Sequence, residues 1–225
     1  MGPFQLSVTL LFCYLLGSIS FGKIMGFIYN QDIQRMGSGN IGMTNVLRIL
    51  GPGPAVVVFL GDFLKGTLAV FLARAYAAPV HLSLGFLTPH PPFWIILGGF
   101  LAIVGHAFSV FLKFKGGKGA ATGLGVLLGL APDLFLIVSL SAIVIIAITR
   151  IVSLASLICV VLLSILMFVF HKPLEYALFS CLVALLMIIR HLPNIERLMS
   201  GKESKIGERI GPGGQRPIFL RKKRP

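Results

Sequence analysis

Acidic side chains are scarce in this 225-residue chain: seven Asp and Glu stand against twenty Lys and Arg, a formal net charge of +13. Charged residues of both signs make up only 12 % of the sequence, about half the ~25 % of a soluble globular domain. That deficit, with 56 % hydrophobic residues, excludes a water-soluble fold and leaves an integral membrane protein. No pair of the few carboxylates shares a helix face at a candidate site. This argues against the lipid phosphotransferases that hold divalent ions on aspartates, and neither a metal nor a cofactor is implied. The three cysteines, Cys13, Cys159 and Cys181, all fall in apolar runs and read as packing residues, not as a disulfide or metal set. Neither a Gly-x-Ser-x-Gly elbow nor Walker A spacing occurs, which removes the serine-hydrolase and P-loop classes. No basic segment precedes the first apolar run and no small-residue cleavage pattern ends it, so a removable signal peptide is not expected.

What remains is a series of apolar runs. A spanning helix needs ~17–25 mostly apolar residues. Such runs cover about Phe4–Ile28, Pro52–Ala77, Phe93–Leu112, Leu134–Thr149, Ile151–Phe170 and Pro173–Ile189, with a shorter one at Gly119–Ala131. The expected fold class is therefore all-α: a polytopic membrane bundle of about seven helices, one of them short. It would form a single domain over 1–200, followed by a flexible basic cytoplasmic tail over 201–225. Basic residues gather in loops, at Arg35 and Arg48, at Lys113, Lys115 and Lys118, at Arg150, and after Arg190. The positive-inside rule puts these loops in the cytoplasm and the uncharged Ala78–Pro92 loop outside. The amino terminus is then outside and the carboxyl terminus inside, with Lys172 the one dissenting lysine. Positive charge so placed fits membrane lipids with anionic headgroups, not nucleic acid.

Three polar clusters fall on the inner side. The first, Gly37–Arg48, holds Ser38, Asn40, Thr44 and Asn45 as neutral donors and acceptors and Arg48 as a fork for phosphate. The second runs from Gly105-His106 through Lys113-Phe-Lys-Gly-Gly-Lys-Gly-Ala-Ala-Thr122. Gly116, Gly117 and Gly119 would turn close-approach N–H groups to an anion, Lys118 would add charge and Thr122 a hydroxyl, and the helix that follows would aim its positive end at the same place. His106 reads equally as structural or catalytic. The third, Arg190-His191 through Asn194 to Arg197, offers His191 for proton work and Asn194 to orient it or to bind substrate. Asp62 and Lys65, three apart at mid-span, are expected to pair. Ser153 could add a hydroxyl at the inner end of its helix. A one-sided site fits an enzyme at the cytoplasmic leaflet; a membrane anion or phosphate carrier, which needs access from both faces, is the alternative.

Together these clusters resemble the bacterial acyl-phosphate-dependent glycerol-3-phosphate acyltransferase family over nearly the whole chain. The resemblance rests on Gly37–Arg48, Gly61-Asp62-Phe63-Leu64-Lys65-Gly66, Gly105-His106, Phe114–Thr122, Ser153-Leu154, and Arg190-His191 through Asn194 to Glu203. It departs at Ile41, Met43, Leu192 and Pro193, where the family carries other residue types. The resemblance implies an inner-membrane enzyme that takes a fatty acyl group from acyl phosphate to the 1-hydroxyl of sn-glycerol 3-phosphate. The products would be lysophosphatidic acid and phosphate, with no protein partner required. Ser38, Arg48, His191 and Asn194 would carry catalysis. Asn40, Thr44, Asn45, Gly116, Gly117, Lys118, Gly119, Thr122 and Ser153 would bind substrate. Asp62, Lys65 and Glu203 would be structural.

Overall fold

A computed structural model describes residues 3–77 and 93–208; the Ala78–Pro92 loop and most of the basic tail lie outside the described residues. Among the described residues ten α-helices follow in order: α1 Pro3–Ser18, α2 Phe21–Ile28, α3 Met43–Leu50, α4 Pro52–Ala77, α5 Phe93–Ala107, α6 Ala120–Leu130, α7 Pro132–Thr149, α8 Val152–Val169, α9 Leu174–Arg190 and α10 Leu192–Met199. The fold is the expected all-helical membrane bundle. Among the described residues four stretches, including Phe93–Leu112, are long and apolar enough to cross a bilayer, and six if the bent pairs α1–α2 and α9–α10 each count as one span. A seventh crossing would have to come from α6, whose 11 residues rise only ~16 Å against ~30 Å of hydrocarbon.

The first apolar run is continuous in sequence, yet it bends by 42° between α1 and α2. Side chains from elsewhere take up the carbonyls that the break exposes. Ser109 Oγ donates to Ser18 O at 2.7 Å and Lys65 Nζ to Ile19 O at 2.6 Å. Ser20 then restarts the helix by accepting from Lys23 N. Backbone polar groups in hydrocarbon must find such partners, so the break is tolerated only because Lys65 and Ser109 are there.

Helices approach closely where small residues face each other. A Cβ at Gly17 of α1 would lie 2.1 Å from Ala102 O of α5, and one at Gly125 of α6 would lie 1.9 Å from Phe63 O of α4. The main core joins Cys13, Val70, Ile103, Val126, Leu134 and Met187. On α7, Leu136, Leu140, Ile143 and Val144 are exposed at helical spacing, which is a lipid-facing stripe. At one end of the bundle Lys172 Nζ sits 2.7 Å from Asp133 Oδ2, so the dissenting lysine carries a counter-ion. The loops before α3, before α6 and before α8 gather at the other end.

Candidate active site

At that end α3 begins after Gly42, α6 after Gly119 and α8 after Ile151, each without a side-chain cap. Their first-turn N–H groups and dipoles make an electropositive floor. Residues of all three first turns line one cavity of about 220 Å³. Its polar end carries Ser38, Asn40, Thr44, Arg48, Lys118, Gly119, Ser153, His191 and Asn194. Its other arm runs among Leu127, Val138, Ala142, Cys159, Val160 and Leu163 on α6, α7 and α8. The cavity is thus ionic at one end and hydrocarbon at the other.

The polar end is a connected network. Lys118 Nζ donates to Asn194 Oδ1. Asn194 Nδ2 donates to Glu203 Oε1 at 2.6 Å, and Ser153 Oγ donates to the same oxygen at 2.8 Å. Arg197 Nε binds Glu203 Oε2 at 2.7 Å. Burial would raise the Glu203 carboxyl, but these three bonds more than offset it and hold it below its ordinary value. Asn194 therefore spends its acceptor and one amide hydrogen within the wall, leaving a single N–H for a substrate. Burial pushes Lys118 down to about 8, with Glu203 opposing. Arg48 Nη2 donates to Ser204 O at 3.3 Å, while its buried Nε has no partner. An orphaned guanidinium donor beside a lysine and three helix N-termini is a place for an anion.

His191 sits at the turn between α9 and α10, where the chain bends by 63°. Its Nδ1 lies 2.7 Å from Met187 O, so Nδ1 carries the proton and Nε2 holds the lone pair. Burial pushes the ring down to about 4, which makes it neutral at physiological pH.

Several sequence expectations need correction. Gly116 and Gly117 do not offer their N–H groups to an anion: Gly116 N donates to Ala107 O and Gly117 N to His106 O, at 3.2 and 2.9 Å. They are glycines because a Cβ would lie 2.1 Å from His106 O and 2.1 Å from His106 Nε2 respectively. Gly119 does border the cavity. Thr122 is fully buried and absent from the cavity wall, its Oγ1 has no hydrogen-bond partner, and its backbone carbonyl sits against α4, where a Cβ at Gly66 would lie 2.2 Å from Thr122 O. Asn45 borders the cavity, but its amide is consumed in shaping the loop. Its Oδ1 accepts from Ser38 N, and its Nδ2 donates to Ile33 O and Met36 O.

Asp62 and Lys65 lie 2.7 Å apart. His106 joins them, its Nδ1 3.0 Å from Lys65 Nζ. Asp62 and His106 also edge the cavity. Glu203, expected to be structural, belongs to the cavity wall, and the expected tail is anchored through its first residues. Ile206 N donates to Arg150 O, and Arg150 Nη2 donates back to Ile206 O at 2.6 Å. Only the position of Glu203 among polar residues hinted at this, because its partner Ser153 is fifty residues away.

The family profile described as glycerol-3-phosphate acyltransferase matches residues 7–201. The chain is 41 % identical over 203 residues to glycerol-3-phosphate acyltransferase 2 of Moorella thermoacetica, covering 90 % of this chain and 98 % of that one. It is 44 % identical over 194 residues to the Lactobacillus acidophilus protein of the same name, covering 86 % of each. Among solved structures it is similar to PlsY (YgiH), an integral membrane glycerol 3-phosphate acyltransferase, in its glycerol 3-phosphate form. There the TM-score is 0.80 at 35 % identity, over 90 % of this chain and 96 % of that one. The lysophosphatidic acid form of the same enzyme gives a TM-score of 0.77.

Proposed function

The chain belongs to the glycerol-3-phosphate acyltransferase family, and we propose that it moves a fatty acyl group from acyl phosphate to the 1-hydroxyl of sn-glycerol 3-phosphate. The observation that carries this reading is the single two-natured cavity, cationic around Arg48 and Lys118 and apolar between α6, α7 and α8. Both substrates are phosphorylated and one bears a long alkyl chain, which are the two chemistries this cavity accommodates. Its far arm is lined by aliphatic side chains and Cys159 and offers a hydrated anion no hydrogen bonds along a crossing path, which speaks against a carrier.

The glycerol 1-oxygen attacks the acyl carbonyl carbon, and the bond from that carbon to the phosphate oxygen breaks. Phosphate leaves with the electron pair, and the hydroxyl proton ends on a phosphate oxygen. No covalent enzyme intermediate is needed, because the mixed anhydride is already activated. Holding the two reactants in register can remove ~7–11 kcal/mol from the barrier. Arg48, Lys118 and the helix N-termini hold the phosphates. Ser38 Oγ and the remaining Asn194 N–H are the donors available to the carbonyl oxygen, where losing one costs ~2.7–4 kcal/mol. A phosphate oxygen whose ionisation lies near ~6 is a stronger proton acceptor than a histidine held at about 4. His191 then serves as a neutral positioning and hydrogen-bonding group, not as the base.

Loop charge supports an inner-membrane orientation with the amino terminus outside and the site facing the cytoplasm. The test is direct: purified protein with palmitoyl phosphate and glycerol 3-phosphate should yield lysophosphatidic acid and inorganic phosphate. Transfer from an acyl thioester but not from acyl phosphate would refute the donor assignment. Phosphate uptake into proteoliposomes without transfer would restore the carrier.

A further inference from the structure

Lys118 is held by a backbone that a residue outside the cavity clamps. Arg190, the last residue of α9, donates from Nη2 to Gly116 O at 2.7 Å and from Nε to Gly117 O at 3.0 Å. Its guanidinium lies over the Phe108 ring, 5.3 Å from the centroid. From the other side, Gly116 and Gly117 are bonded through their N–H groups to α5 and packed too tightly to admit a Cβ. Both residues before Lys118 therefore have their N–H and C=O engaged. Arg190 does not line the cavity, but it directly precedes His191 and is four residues before Asn194. It thus ties the wall that carries these two residues to the loop that carries Lys118.

We propose that Arg190 is a positioning residue that sets the distance of Lys118 from His191 and Asn194. A planar fork matches two successive carbonyls in a way an ammonium does not. The assignment rests on the acyltransferase reading only in taking Lys118 as a phosphate ligand.

The experiment is a double-mutant cycle on full-length protein with Arg190→Gln and Lys118→Ala. Arg190→Gln should raise the KM of a phosphate substrate ~10- to 100-fold, as loss of one charge-assisted hydrogen bond does, and Lys118→Ala by at least as much. The double variant should be no worse than Lys118→Ala alone, because both changes remove one interaction. Guanidinium ion added to Arg190→Ala should restore much of the lost affinity. If Arg190→Gln does not fold, Arg190→Lys, which reaches one carbonyl only, completes the cycle with a smaller rise in KM. Multiplying losses in the double variant, or an unchanged KM in either folded Arg190 variant, would overturn the proposal. If wild type transfers no acyl group, the functional reading fails alone; glycerol 3-phosphate binding by calorimetry then carries the same cycle.

Discussion

Substituting Gly117 with alanine tests whether its missing side chain serves packing or an anion. The added Cβ would sit 2.1 Å from His106 Nε2, 2.9 Å from Cε1 and 3.1 Å from Cδ2, where ordinary contact needs ~3.5 Å. The imidazole has nowhere to go. His106 is 4 % exposed, and its Nδ1 is held 3.0 Å from Lys65 Nζ and 3.5 Å from Asp62 Oδ1. The loop must therefore move by ~1 Å, with an overpacking cost of ~1–3 kcal/mol. For a chain of this size that lowers Tm by ~2–12 °C, and KM for a phosphate substrate should rise ~10-fold or more as Lys118 shifts. Gly53→Ala, whose Cβ meets nothing within 4 Å, is the neutral control. The decisive comparison is Gly117→Ala in a His106→Ala background, which makes room for the new methyl. The second substitution should then cost at least ~1 kcal/mol less than in wild type. Equal cost in both backgrounds, or wild-type Tm and KM for Gly117→Ala, would refute the packing argument.

Three further outcomes follow from the geometry. Because the ammonium is the binding form of Lys118 and burial holds it at about 8, kcat/KM should fall as pH rises through that value. Lys118→Arg should abolish this alkaline limb, and a pH–rate profile of both proteins checks it. The folded-state pKa of Glu203 lies below its ordinary 4.5, so its stabilisation is present above that pH and lost as pH falls through the folded value. Glu203→Gln should cost ~1.5–3 kcal/mol at neutral pH and converge with wild type in acid, as read by Tm between neutral and strongly acidic buffer. Leu163 lies ten residues beyond Ser153 on α8, ~15 Å along the helix, at the apolar end of the cavity. Leu163→Phe should depress turnover of long acyl phosphates several-fold while sparing short ones, measured as a ratio of kcat/KM across chain lengths.

Spans were legible because hydrocarbon imposes length and apolarity on each helix, and α4 runs from Pro52 to Ala77 as its sequence indicates. The bend at Ser18–Ser20 was not, since nothing local forces it; Lys65 and Ser109, remote in sequence, make it tolerable. Grouping of the polar clusters at one end followed from loop charge. What each glycine does there was hidden, because a backbone opened for an anion and one crowded by a histidine both ask for the same residue. Thr122 misled for a related reason: it lies in the first turn of α6 beside cavity residues, yet it is fully buried and off the cavity wall.

The carboxylate at position 203 closes the wall begun by Ser153 and Asn194, and it comes after every described helix in chain order. During synthesis, then, all hydrophobic segments can be in the bilayer while the reaction chamber is still one side short. A released chain ending at Met199 would keep every described helix yet lack one side of its reaction chamber, so it should insert without reaching the activity of the longer chain.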